Sequence, residues 1–214
     1  MLKIAVVDYD MGNLHSVCKG LQHAGAQTSI THLPAELAAA DAIVLPGVGA
    51  FDPAVKKIRD RDLEQPLKDI IASGKPFLGI CLGLQILFDR SEEGEEMGLG
   101  IVPGIVRKFQ PEADLTIPQM GWNQLQLAQP HCPLWGQIDA NAWVYFDHSY
   151  YVEPLQTSVT AAVVTHGTQT VAAAIARANV MAVQFHPEKS STTGLQMLAN
   201  FVRLAQSAQI LTSV

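Results

Sequence analysis

The sequence predicts an α/β fold with a central, mostly parallel sheet flanked by helices, and three observations carry that expectation. The first eighty residues alternate apolar strand patterns with helical ones. Glycine and proline mark the boundaries between those segments. After about residue 100, strand patterns follow one another with few helices between, which adds antiparallel strands in the C-terminal half.

Taken in order, residues 2–7 are a continuous apolar run closed by Asp8, as a strand buried on both faces of a parallel sheet would be. Leu14, Val17, Cys18, Leu21 and Ala24 fall on one helical face, and Gly25 closes that helix. Short strands are expected near 27–31 and 42–45, the second running into the turn Pro46-Gly47-Val48-Gly49. A helix with Leu63, Leu67, Ile70 and Ile71 on one face follows, ended by Gly74 and Pro76. Phe77 to Ile80 reads as a strand and Leu82 to Phe88 as a helix, which leaves Cys81 at the corner. Residues 101–109, 142–146, 158–165, 170–176 and 180–185 read as strands. A last helix turns Leu195, Leu198, Ala199, Val202 and Ala205 toward the core, with Ser190, Ser191 and Thr192 available as caps. No internal repeat or long linker divides the chain, so residues 1–214 are expected to form one domain.

Composition narrows the class. A chain of 214 residues, 48% hydrophobic, can bury a substantial core. The net charge of -6 and the absence of a basic run argue against nucleic acid as a partner. No stretch approaches the ~20 apolar residues of a membrane span, and the first apolar run is too short for a signal sequence. Cys18, Cys81 and Cys132 lie far apart with no CxxC or metal-ligand spacing. Such a set points to a reducing compartment, and the cytoplasm is the expected location.

Three segments carry chemistry. In Gly79-Ile80-Cys81-Leu82-Gly83 a nucleophile stands between a strand end and a helix start, flanked by glycines, as in a nucleophile elbow. The helix N-terminus favours the reactive thiolate, and its backbone N–H groups can hold an oxyanion. An inert buried cysteine fits this motif alone about equally well. In Gln184-Phe185-His186-Pro187-Glu188, His186 and Glu188 stand at i and i+2, on the same side of an extended chain. A thiol nucleophile needs such a base, and the base needs a carboxylate to orient it. Taken alone, His-x-Glu is more simply a surface ion pair. The third segment, residues 46–51, has peptides at Gly47 and Gly49 that are free to reorient as oxyanion donors, or is a plain turn. It lacks the spacing of a nucleotide loop.

Together these segments resemble the class I glutamine amidotransferases, with the G-x-C-x-G elbow first and His-Pro-Glu late. Residues 8–14, 46–51, 118–123 and 145–150, with the run from His186 to Ser191, are similar to the glutaminase subunits of imidazole glycerol phosphate synthases. The resemblance implies a single-domain, flavodoxin-like amidotransferase fold. It implies that Cys81 attacks the amide of glutamine to form a thioester, with His186 as proton shuttle and Glu188 as its orienting partner. Backbone at Leu82, Val48 and Gly49 would form the oxyanion hole, and Gln85, Glu93, Ser149 and Tyr150 would hold glutamine. Trp122, Tyr145 and Lys189 would face a (β/α)8-barrel cyclase subunit in a heterodimer; taken alone, Trp122 and Tyr145 read equally as core aromatics and Lys189 as a solvated charge. Ammonia would pass to that subunit, which makes imidazole glycerol phosphate and an aminoimidazole carboxamide ribotide in histidine biosynthesis. No metal or organic cofactor is implied. Asp147 departs from the family, which more often has an apolar residue there. His148 lacks the following Pro-Glu and is read as structural or interfacial, and Cys18 and Cys132 as structural.

Overall fold

A computed structural model describes residues 1–113 and 115–212. Five strands form a parallel block in the order β2-β1-β3-β4-β13: β1 (Lys3–Val7), β2 (Gln27–Thr31), β3 (Ala42–Gly47), β4 (Phe77–Cys81) and β13 (Val180–Val183). The sheet continues from β13 through antiparallel partners β12 (Gln169–Arg177), β10 (Tyr150–Pro154) and β6 (Gly104–Lys108) to short β5 (Arg90–Ser91). β11 (Thr160–His166) pairs with β12 and with β8 (Gln126–Leu127). A separate two-stranded ribbon joins β7 (Gln119–Gln124) to β9 (Trp143–His148).

Strand alternation divides the core into two layers. Ile4, Val6, Val44, Leu78, Ile80 and Met181 point to one face of the sheet. They pack there on Val17 and Leu21 of α1 (Leu14–His23) and on Leu198, Phe201 and Val202 of α6 (Ser191–Thr212). Ala5, Val7, Ile43, Leu45, Phe77 and Ala182 point the other way. They meet Leu37 of α2 (Pro34–Ala39), Val55 and Ile58 of α3 (Phe51–Asp60), and Leu67 and Ile70 of α4 (Glu64–Ala72). Burying each of the larger side chains among these, Val, Leu, Ile, Phe or Met, stabilises the fold by ~1.5–3 kcal/mol relative to exposure.

Several expectations change in detail. The helix after Cys81, α5, ends at Gln85 rather than Phe88. The carbonyls of Ile86, Leu87 and Phe88 accept hydrogen bonds from amides of residues 99–102, so they cannot continue the helical ladder. Residues 51–60, read only as far as a turn, form α3, with Phe51, Ala54, Val55 and Ile58 on its buried face. α2, β7, β8 and β10 were not evident in the sequence pattern either. On α6 the deeply buried residues include Met197 and Phe201, while Leu195 and Ala199 are half-buried. The Ser190 hydroxyl donates to the His186 carbonyl at 2.6 Å and accepts the Tyr145 N–H at 2.9 Å, so it clasps a turn to β9. Among the described residues no helix is long and apolar enough to cross a membrane.

Candidate active site

The site forms where the C-terminal ends of β3, β4 and β13 lie side by side. Gly47 of β3 is in register with Cys81 of β4, and Val183 of β13 with Ile80. This is where open α/β sheets place their ligands. Cys81 takes φ +55° and ψ -110°, a conformation that costs a side-chain-bearing residue ~1–3 kcal/mol and survives only when its surroundings enforce it. The flanking glycines permit the turn. A Cβ on Gly83 would enter the Leu45 carbonyl, and one on Gly79 would lie 2.8 Å from the Gly83 carbonyl oxygen.

His186 follows β13 in extended conformation, and Pro187–Lys189 turns at once into a single 3-10 turn. That turn brings Glu188 Oε1 to 2.9 Å from His186 Nδ1, with the two side chains 3% and 2% exposed. The His186 backbone N–H donates to the Tyr145 carbonyl at 2.9 Å, which fixes the strand end against β9. Burial opposes charge on the His186 ring. Its hydrogen bonds to Cys81 and Glu188, and the charges of both, outweigh that and raise the imidazole to about 10. Thiol and carboxylate therefore both act on the one imidazole.

A cavity of about 260 Å³ opens over Cys81 and His186. Its walls hold every residue expected to meet the substrate: Val48, Gly49, Leu82, Gln85, Glu93, Ser149 and Tyr150. Pro118, Asp147 and His148 also line it. Glu93 Oε2 accepts the Phe51 N–H at 2.8 Å, which places a carboxylate at the N-terminus of α3. Gln85 donates through Nε2 to the Tyr150 carbonyl at 3.0 Å and to Gln184 Oε1 at 3.1 Å.

Trp122, Tyr145 and Lys189 stand outside the cavity and form a cluster of their own. Trp122 and Tyr145 are cross-strand partners on the β7–β9 ribbon, their rings edge to face at 6.1 Å. Lys189 Nζ lies 5.7 Å from the centre of the Tyr145 ring. Trp122 is 50% exposed, so it is not the core aromatic that a lone tryptophan usually is. The same ribbon contributes Asp147 and His148 to the cavity wall.

His148 is no second base. It is buried, with Nδ1 2.7 Å from the Tyr150 carbonyl and Nε2 3.0 Å from the Gln119 amide. Burial, the dominant cause, pushes the ring down to about 4 and keeps it neutral. Cys18 and Cys132 are buried, and burial pushes both thiols up.

Two residues near Cys81 were not singled out by sequence reasoning. Gln184, fully buried, donates through Nε2 to Cys81 Sγ at 3.7 Å. Tyr9, also fully buried, donates its hydroxyl to the Pro46 carbonyl at 2.8 Å, at the entry to the 46–51 segment. Burial, reinforced by Cys81, pushes that phenol well above its usual range. Both lie inside motifs already noted, but neither is marked by periodicity or spacing.

Residues 5–205 match the family described as glutamine amidotransferase class-I. The chain is 67% identical over 204 residues to the imidazole glycerol phosphate synthase subunit HisH of Acaryochloris marina, covering 95% of both chains. It is 63% identical over 212 residues to the subunit of that name from Microcystis aeruginosa, covering 99% of this chain and 100% of that one. Among solved structures, PurLQS from Thermotoga maritima superposes with a TM-score of 0.74 at 18% identity, covering 95% of this chain and 98% of that chain. The glutaminase domain of Trypanosoma brucei CTPS with bound acivicin superposes with a TM-score of 0.64 at 17% identity, covering 95% and 94%. Those two likenesses speak for the fold alone. The chain belongs to the class I glutamine amidotransferase family and, within it, to the HisH subunits of imidazole glycerol phosphate synthase.

Proposed function

We propose that this chain, one amidotransferase domain over residues 1–214, releases ammonia from glutamine and hands it to a barrel cyclase subunit of imidazole glycerol phosphate synthase in the cytoplasm. The observation that carries the reading is His186, paired with Glu188 and acted on by Cys81, with Cys81 and His186 lining a cavity that holds all seven expected substrate residues.

The chemistry follows from that arrangement. The Cys81 sulfur attacks the side-chain carbonyl carbon of glutamine, and the carbonyl electrons move onto oxygen. Backbone N–H groups at Leu82 and at Val48–Gly49 stabilise that oxyanion. The protonated His186 ring donates to the departing nitrogen, the C–N bond breaks, and ammonia leaves a γ-glutamyl thioester. Water then attacks the thioester while His186 takes its proton, and collapse returns glutamate and the free thiol. Glu188 holds the ring throughout. Glu93, one of two carboxylates lining the cavity with Asp147, complements the α-ammonium of glutamine. The steps need no metal or organic cofactor.

The exposed Trp122–Tyr145–Lys189 cluster supports docking of the (β/α)8 partner in a heterodimer, because aromatic anchors with a basic neighbour suit a specific interface. Reorientation of the 46–51 peptides on docking would switch the oxyanion donors on. Losing one such donor costs ~100–1,000-fold in rate, so the chain alone is expected to be weak. A glutamine-analogue electrophile tests the site directly: it should label Cys81, and excess glutamine should protect. An unlabelled Cys81 would favour a catalytically silent partner-binding module instead.

A further inference from the structure

Behind the nucleophile runs a chain of amides whose direction is dictated by one backbone carbonyl. The Tyr150 carbonyl can only accept hydrogen bonds. It takes one from Gln85 Nε2 at 3.0 Å and has His148 Nδ1 at 2.7 Å. The Gln85 carboxamide must therefore turn its NH2 toward Tyr150, and that same nitrogen donates its other hydrogen to Gln184 Oε1 at 3.1 Å. With its oxygen committed to Gln85, Gln184 must present its own NH2 to Cys81 Sγ, 3.7 Å away. Turning either amide over would set acceptor against acceptor or donor against donor. Gln184 is fully buried, where an unmatched polar group is costly, so the orientation is held firmly.

Two consequences follow. The Cys81 sulfur has an N–H donor behind it, opposite in kind to a carboxylate or carbonyl. Gln85 has both amide hydrogens committed and keeps only Oε1 for the cavity it lines. The group it can meet on a substrate is then a donor.

We propose that Gln184 is a positioning residue of this site: oriented by the Tyr150 carbonyl through Gln85, it holds the Cys81 sulfur and makes Gln85 present an acceptor to an N–H group of the substrate. This deepens the glutaminase reading and rests on it. Gln184 acts through its two neighbours rather than on substrate, so its effect divides between the steps they serve. Loss of the acceptor for Gln85 loosens ground-state binding, and loss of the donor to sulfur slows chemistry.

The test is glutamate release by the full chain together with its cyclase subunit, with kcat and KM measured in a double-mutant cycle. Gln184→Met should raise KM about tenfold and lower kcat about tenfold, the size of one lost oriented hydrogen bond on each side. Gln85→Ala should raise KM, and the KM of the double variant should stay within about twofold of that of Gln85→Ala, because the two residues act on binding as one unit, while its kcat keeps the fall seen in Gln184→Met. Additive KM effects would overturn the proposal, as would unchanged kcat and KM in Gln184→Met. If Gln184→Met does not fold, Gln184→Glu decides: it keeps an acceptor for Gln85, so KM within about threefold of wild type supports the assignment and a tenfold rise overturns it. Cys81→Ala separates the two levels. No glutamate release by wild type overturns the glutaminase reading itself, and release surviving in Cys81→Ala overturns its thiol mechanism, whereas an active wild type and a dead Cys81→Ala with a wild-type-like Gln184→Met overturn only the role of Gln184.

Discussion

His186 Nδ1 stands 2.9 Å from Glu188 Oε1, and both side chains are all but fully buried. Among the described residues the ring is the carboxylate's one side-chain hydrogen-bond partner, since its other oxygen, Oε2, has none. A buried carboxylate with a single partner fixes which nitrogen of the ring carries the proton and where the ring points. Glu188→Gln should therefore lower kcat for glutamate release by ~1,000-fold or more while KM changes little, and His186→Asn by at least as much. A Glu188→Gln enzyme within tenfold of wild type would remove Glu188 from the account.

The elbow makes a prediction about folding. A Cβ at Gly83 meets the Leu45 carbonyl, a backbone atom of the central sheet that cannot step aside. Gly83→Ala should destabilise the chain by more than ~2 kcal/mol in urea unfolding, as core overpacking against backbone does. Gly25→Ala is the control for a positive-φ glycine with open space around it and should cost about 1 kcal/mol.

His148 sets a pH dependence on stability. Its folded value, about 4, lies below the ordinary 6.5, so the unfolded chain binds a proton that the folded one refuses between those pH values. The stabilisation from this residue is therefore complete above pH ~6.5 and is lost as pH falls toward about 4, amounting to roughly 3 kcal/mol at most. Urea unfolding at several pH values should show that slope in wild type and a shallower one in His148→Gln.

Glu93 serves two partners that substitutions can separate. Its Oε2 accepts the Phe51 N–H at the start of α3, while the carboxylate also lines the cavity. Glu93→Gln keeps an acceptor for Phe51 but loses the charge, so KM for glutamine should rise about tenfold with little change in stability. Glu93→Ala should raise KM similarly and also cost about 1 kcal/mol in unfolding free energy. Equal stability in the two variants would detach Glu93 from the helix start.

The parallel half of this fold was legible because its strands are buried on both faces and read as apolar runs, as residues 2–7 and 77–80 do. The helix over Leu82–Phe88 was over-extended for the same reason. All of residues 82–88 are buried, so no polar face marks where helix gives way to loop. β7 escaped because its alternating pattern keeps Met120 and Trp122 outward, 64% and 50% exposed, as an interface would need and a core strand would not. Cys81, His186 and Glu188 could be placed from glycine spacing and a His-Pro-Glu run, which are local signals. Gln184 and Tyr9 could not, since their meaning lies in contacts with residues 103 and 37 positions away.

The most direct test is glutamate release from glutamine by this chain alone, then with the cyclase subunit and its ribulosyl ligand, in wild type and in Cys81→Ala. The account predicts weak release alone, a rise of at least ~100-fold in the complex, and none in Cys81→Ala under either condition. Release that persists in Cys81→Ala would contradict the thiol mechanism at its centre.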